Sequence, residues 1–231
     1  MKYKLMIWAL SLFVLPCGVS ALTFENYMPT DPGWEWVYQS NTDSSIITYA
    51  ISGKRNISGF ETSIYSQSGF GEFYFINDSI NGFNIFGADN LIPDPGPLTI
   101  VGPNFNIGDL NTLTFDLDIP IEGINNLTLE TEIMGFESID VAGYSGETLK
   151  IRLLHINNTK EAVGTSWRHT EFAWFAEDIG LVKTTNDTIH NDFVFGFNME
   201  LQSYSNSVPE PTTMILFGFG LVCIAGFGRK S

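Results

Sequence analysis

The chain has 231 residues, 44% of them hydrophobic and 14% aromatic, with a formal net charge of −15. That acidic balance excludes nucleic acid and anionic lipid headgroups as partners, because both select Lys and Arg. The aromatic content and regular apolar alternation exclude a disordered chain.

Lys2 and Lys4 precede an apolar run, Leu5 to Leu15, and Val19-Ser20-Ala21 is a small-residue cleavage site. This is the layout of a secretory signal peptide over residues 1–21, with signal peptidase cutting between Ala21 and Leu22. Val14-Leu15-Pro16-Cys17-Gly18 offers a lipoprotein alternative, but Pro16 stands where a small residue is needed. The two cysteines, Cys17 and Cys223, fall in the terminal segments, so the body between them carries no disulfide. Its stability must come from its core, and residues 22–206 are enough to build one.

Trp34, Trp36 and Tyr38 alternate after a Pro32-Gly33 turn and predict a first strand with an aromatic face, either core or a ladder able to stack on sugars. Ser45 to Ser52 is a β-branched strand, with Gly53-Lys54 as the expected turn. Phe60, Thr62 and Ile64 begin the next strand, Glu72 to Ile76 another, and Asn81-Gly82 is a hairpin signal into Phe83–Phe86. The prolines of 89–103 (Pro93, Pro95, Pro97, Pro103) predict a loop or an edge crossing. Alternation resumes over Thr112–Ile119 and Leu127–Ile133, then Ile139–Tyr144, Thr148–Ile156, Trp167–Phe175 with its continuation to Lys183, and Phe193–Leu201. No part of the body has a 3.6-residue period. The prediction is one mainly β domain over 22–206, a meander of antiparallel strands.

Titratable residues give no catalytic constellation. His155, His169 and His190 lack metal-ligand spacing, and only His169 and Glu171 share a strand face in the sequence pattern. There is no Gly-x-Ser-x-Gly elbow and no cysteine nucleophile in the body. Asp116 with Asp118 and Glu130 with Glu132 lie on the polar sides of strands, and Glu177-Asp178 in a turn, where solvated charge is expected rather than the facing pair of a glycosidase. Asp89, Asn90 and Asp94 do not complete a calcium loop. No cofactor, metal site or catalytic residue is expected.

The C-terminus is Pro209-Glu210-Pro211 followed by an uncharged run from 212 to 228 and then Arg229-Lys230. Pro211 stops a helix from extending backwards, and residues 212–228 are at the short end of the roughly 17–25 residues that span a bilayer. Arg229 and Lys230 act as the stop on the cytoplasmic side. Residues 207–231 resemble the PEP-CTERM sorting signal of Gram-negative bacteria. The resemblance implies transient inner-membrane anchoring and recognition by an exosortase. It also implies a mature protein at the surface or in an extracellular matrix, beside exopolysaccharide and biofilm, with extracellular polysaccharide as a partner. The body resembles secreted bacterial LolA-like domains through Tyr27, Pro29, Gly33, Trp36 and Tyr38, through Val141-Ala142-Gly143 before Leu149–Arg152, and through Trp174-Phe175-Ala176 before Gly180–Lys183. That likeness implies a curved open or half-barrel sheet with a concave face. Three roles follow: a non-catalytic structural or binding domain, a carrier or sensor of an apolar ligand, and a polysaccharide hydrolase.

Overall fold

The computed structural model describes residues 22–68, 71–88, 96–119, 123–162, 168–186 and 198–207. The predicted signal peptide and the apolar tail lie outside these residues. Among those described, the chain is β structure with a single short α-helix, α1 (Asn158–Ala162), and a 3-10 turn, Phe24–Tyr27.

Fourteen strands follow one another: β1 (Leu22–Thr23), β2 (Trp34–Ser40), β3 (Ile46–Ile57), β4 (Phe60–Gln67), β5 (Gly71–Asp78), β6 (Gly82–Ala88), β7 (Leu98–Val101), β8 (Asn104–Phe105), β9 (Leu110–Ile119), β10 (Gly123–Val141), β11 (Tyr144–Asn157), β12 (Arg168–Ala176), β13 (Gly180–Asn186) and β14 (Met199–Asn206). Twelve form one sheet in the order β7-β6-β5-β4-β3-β2-β14-β13-β12-β11-β10-β9, and every pair is antiparallel. Two meanders therefore meet at the middle, where β2 pairs with β14 from Trp34↔Asn206 to Ser40↔Met199. The sheet curls until its edges β7 and β9 approach, and the Asn111 side-chain amide donates to the Thr99 carbonyl across the seam at 2.6 Å. The expected curved antiparallel sheet is present, and it is nearly closed.

Period-two alternation decides which side chains enter. On β11 Leu149 and Ile151 point inward, on β12 Ala173 and Phe175, on β2 Trp36 and Tyr38, and all are buried. Their polar ends are satisfied inside. Trp36 Nε1 donates to the Ile179 carbonyl at 2.7 Å and the Tyr38 hydroxyl to the Leu181 carbonyl at 2.6 Å. Trp36 and Tyr38 of the predicted aromatic face are thus core, while Trp34 is partly exposed. Gly53 is a correction to the sequence expectation. It does not turn the chain but follows a bulge between Ile51 and Gly53, after which β3 continues to Ile57 and reverses at Ser58-Gly59. The bulge supplies curvature that a flat strand lacks.

Two ends follow from this topology. At one, β2–β3, β4–β5, β6–β7, β9–β10, β11–β12 and β13–β14 are connected; we call it the loop end. The other carries the turns at 58–59, 79–81, 142–143 and 177–179 and the close of β14. The 3-10 turn fills this second end, the plug end. Phe24 is fully buried and meets Phe83, Phe105 and Phe175 at 5.4, 6.4 and 5.1 Å between ring centroids. Three carbonyls of the turn, of Phe24, Glu25 and Met28, accept from the Asn77 side-chain amide at 3.1, 3.0 and 2.8 Å. β1 adds a two-residue ladder with β8. A short apolar segment has no sheet of its own, so the barrel interior is where it buries Phe24.

Candidate functional site

Toward the loop end the inward-facing residues change from apolar to polar. Leu149 and Ile151 give way to Leu153, His155 and Asn157 on β11, while Phe175 and Ala173 give way to Glu171 and His169 on β12. The register sets His155 opposite His169 and Leu153 opposite Glu171. The two imidazole centroids are 5.7 Å apart. His155 Nε2 lies 3.8 Å from Glu171 Oε2, too long for a hydrogen bond, and it has no hydrogen-bond partner. Asn157 Nδ2 donates to Asn125 Oδ1 at 3.0 Å, and both are buried. On the wall formed by β3 and β4, Tyr49 stacks on Tyr65 at 4.8 Å, and Gln67 opposite Tyr49 is buried with no partner for its amide nitrogen.

Burial sets the charge of this site. The Glu171 side chain is 13% exposed, and desolvation pushes its carboxyl up to about 8, so at neutral pH it is a carboxylic acid. Desolvation, with His169 beside it, holds His155 down to about 4, so its ring is neutral. The Tyr49 hydroxyl is raised by burial first and by Glu171 second. The result is a buried carboxylic acid at Glu171 beside the neutral His155 ring, toward the loop end.

The sequence pattern paired His169 with Glu171 and left His155 apart; the β11–β12 register joins all three. The one local signal for His155 was its place in the Leu149, Ile151, Leu153 alternation. The carboxylate pairs behave as expected of solvated charge. Asp116 accepts from Asn126 at 2.8 Å, Glu132 pairs with Arg152 at 2.7 Å, and Glu177 accepts from Asn26 at 3.2 Å on an exposed turn. Among the described residues no three His, Cys, Asp or Glu side chains converge on a metal position. A separate cleft of about 290 Å3 opens at the seam between Thr99–Phe105 and Asp109–Asn111, with Thr131 and Ile133 behind it.

Of the predicted processing residues, Leu22 begins β1. Ala21, Pro209, Glu210, Pro211, the 212–228 segment, Arg229 and Lys230 lie outside the described residues. No helix among the described residues is long and apolar enough to cross a membrane. The fold ends on a clip: Ser207 donates from its backbone N to the Gly33 carbonyl at 3.0 Å and from Oγ to the same oxygen at 3.2 Å. Gly33 has φ +104°, and a Cβ there would sit 3.0 Å from the Ser207 carbonyl oxygen.

Fold and site together define a plugged antiparallel β domain with a buried polar cluster toward its loop end. The tail is specific: residues 207–230 match the family described as PEP-CTERM protein-sorting motif. The chain is thus an exported protein, anchored through its C-terminus before exosortase processing. No curated protein matches the sequence. Among solved structures, a Bacteroides fragilis exported protein of YmcC-like fold is similar at 8% identity and a TM-score of 0.37, over 81% of this chain and all of that one.

Proposed function

We propose that the protein is a surface or extracellular-matrix component whose β domain has a non-catalytic structural or binding role beside exopolysaccharide in a biofilm. In this reading signal peptidase removes 1–21, residues 22–206 form the delivered domain, and exosortase acts on the signal of 207–231 at Pro209-Glu210-Pro211. The observation that carries it is the coincidence of two boundaries. The sorting motif begins at Ser207, the residue on which the folded ladder closes. The whole body is therefore one cargo, with no further domain between fold and signal.

Glu171 is a buried, protonated carboxyl without a second carboxylate facing it among the described residues, so the two-carboxylate requirement of sugar hydrolysis is unmet there. The carrier reading places an apolar ligand in the concave face of the sheet, part of which is occupied by Phe24, Met28 and Phe105 of the buried core. Changing Pro209, Glu210 and Pro211 to alanine in the native host tests the proposal. The expected product keeps its tail, stays in the membrane fraction and is lost from the surface polymer. Mature protein of unchanged mass in the medium would refute it.

A further inference from the structure

Nine large hydrophobic side chains are exposed among the described residues, and they are unevenly placed. Ile46 and Ile124 stand at the loop end. The other seven belong to the plug end or its flank. Phe60 follows the 58–59 turn, and Ile80, 81% exposed, tops the 79–81 turn. Ile107 lies on the approach to β9, and Leu110 is its first residue, opposite Glu132 on the side wall. Met134 and Phe136 flank Gly135, where an added Cβ would touch Ile107 at 3.6 Å. Tyr204 stacks on Trp34 at 6.3 Å, and Trp34 on Trp36 at 5.5 Å, next to the Ser207 clip.

The chain leaves the fold at that same end. Five residue steps separate Ser207 from Thr212, where the uncharged run begins. Fully extended they reach about 18 Å at most. While the tail is anchored, the Ser207 corner cannot stand further than this from the apolar slab, so the plug end is kept close to the bilayer. The side chains offered there are the kinds that settle at a membrane interface, with Trp and Tyr beside the exit and single aliphatic residues on turn tips. Glu25, Asp31, Glu177 and Asp178 are exposed on the same end and repel anionic headgroups.

We propose that the plug end is a bilayer-docking surface for zwitterionic lipid, with Ile80, Phe60, Ile107, Trp34 and Tyr204 as its contacts. It rests on the C-terminal anchoring already stated. The loop end, with His155, His169 and Glu171, then faces away from the membrane while the protein is tethered.

The test uses the chain from Leu22 to Ser231, with Cys223→Ser, in phosphatidylcholine nanodiscs without exosortase. A spin label is placed at Ile80→Cys or Ile124→Cys, and its accessibility to oxygen and to a water-soluble nickel chelate is compared. The label at 80 should show interfacial accessibility and the label at 124 that of water; equal, water-like values at both overturn the proposal. Phe60→Ser with Ile107→Ser should move the label at 80 toward water, and an unchanged value overturns the assignment of contacts. A twelve-residue Gly-Ser insertion after Ser207 should leave the contact in place; its disappearance shows mere tethering and overturns docking. Replacing a third of the lipid with phosphatidylglycerol should weaken the contact, and strengthening overturns the zwitterionic assignment. If the chain fails to enter the nanodisc at all, anchoring fails and docking with it, whereas failure of the polymer-associated role leaves every one of these readings unaltered.

Discussion

Replacing Glu171 with glutamine isolates the energetic consequence of burying one carboxyl at the loop end. The folded protein holds this group at about 8 against an ordinary 4.5, so it binds its proton more tightly folded than unfolded. Stability from that proton is complete below pH 4.5 and is lost as pH rises through 8. His155 runs the other way: held down to about 4, it contributes stability that is present above pH 6.5 and is lost as pH falls toward 4. Between pH 6.5 and 8 the folded His155 ring is neutral and the unfolded one sheds only the last of its protons, so Glu171 dominates the change. At about 1.4 kcal/mol per pH unit, that interval costs the wild type about 2 kcal/mol. For a domain of this size the loss corresponds to a fall in Tm of roughly 4–8 °C. Thermal melts of residues 22–207, followed by tryptophan fluorescence at pH 6.5 and 8, measure it directly. Glu171→Gln should abolish most of the alkaline fall. A wild type with the same Tm at both pH values, or a variant that falls as far, would refute the assignment of a protonated carboxyl inside the barrel.

Two further substitutions probe the plug. Asn77→Ala removes the amide that serves the Phe24, Glu25 and Met28 carbonyls and should cost about 2–4 kcal/mol in urea melts, with faster amide exchange concentrated in residues 24–28; uniform exchange across the domain would contradict a local clamp. Gly82→Ala introduces a Cβ at φ +74° that runs into the Val101–Pro103 backbone, so it should destabilise by about 2 kcal/mol or more and loosen β6 from β7, read as a lowered urea midpoint.

The strands themselves were legible because one face of each is buried. Phe115 and Leu117, or Leu129 and Ile133, repeat at period two and can satisfy only a half-buried strand. Closure was not legible. Nothing in the sequence of β2 names β14 as its neighbour, since pairing across more than 160 residues depends on global curvature and not on local pattern. Gly53 reads as a turn because glycine marks turns and bulges alike, and only the partner strand decides between them. Phe24 was passed over because a four-residue 3-10 turn has no period to detect. The site was half legible: His169 and Glu171 share a strand, but His155 joins them through a β11–β12 register fixed by the hydrophobic pattern on both strands. The sorting tail was the most legible part, because its information is local composition rather than tertiary contact.

The meeting of β2 with β14 has a consequence for the order of assembly. The first meander, β2 to β7, and the second, β9 to β13, can each zip from neighbouring hairpins as they emerge. Their union waits for the last strand, which contributes seven cross-strand pairs to β2 and two to β13. Before β14 is present, β2 and β13 lack the strand that joins them, and the two half-sheets meet only at the β7–β9 seam and through the plug. The sorting signal begins at Ser207, directly after β14, so the closing strand and the signal are consecutive in the chain. A chain truncated before β14 would have two open edges where the native fold has a ladder.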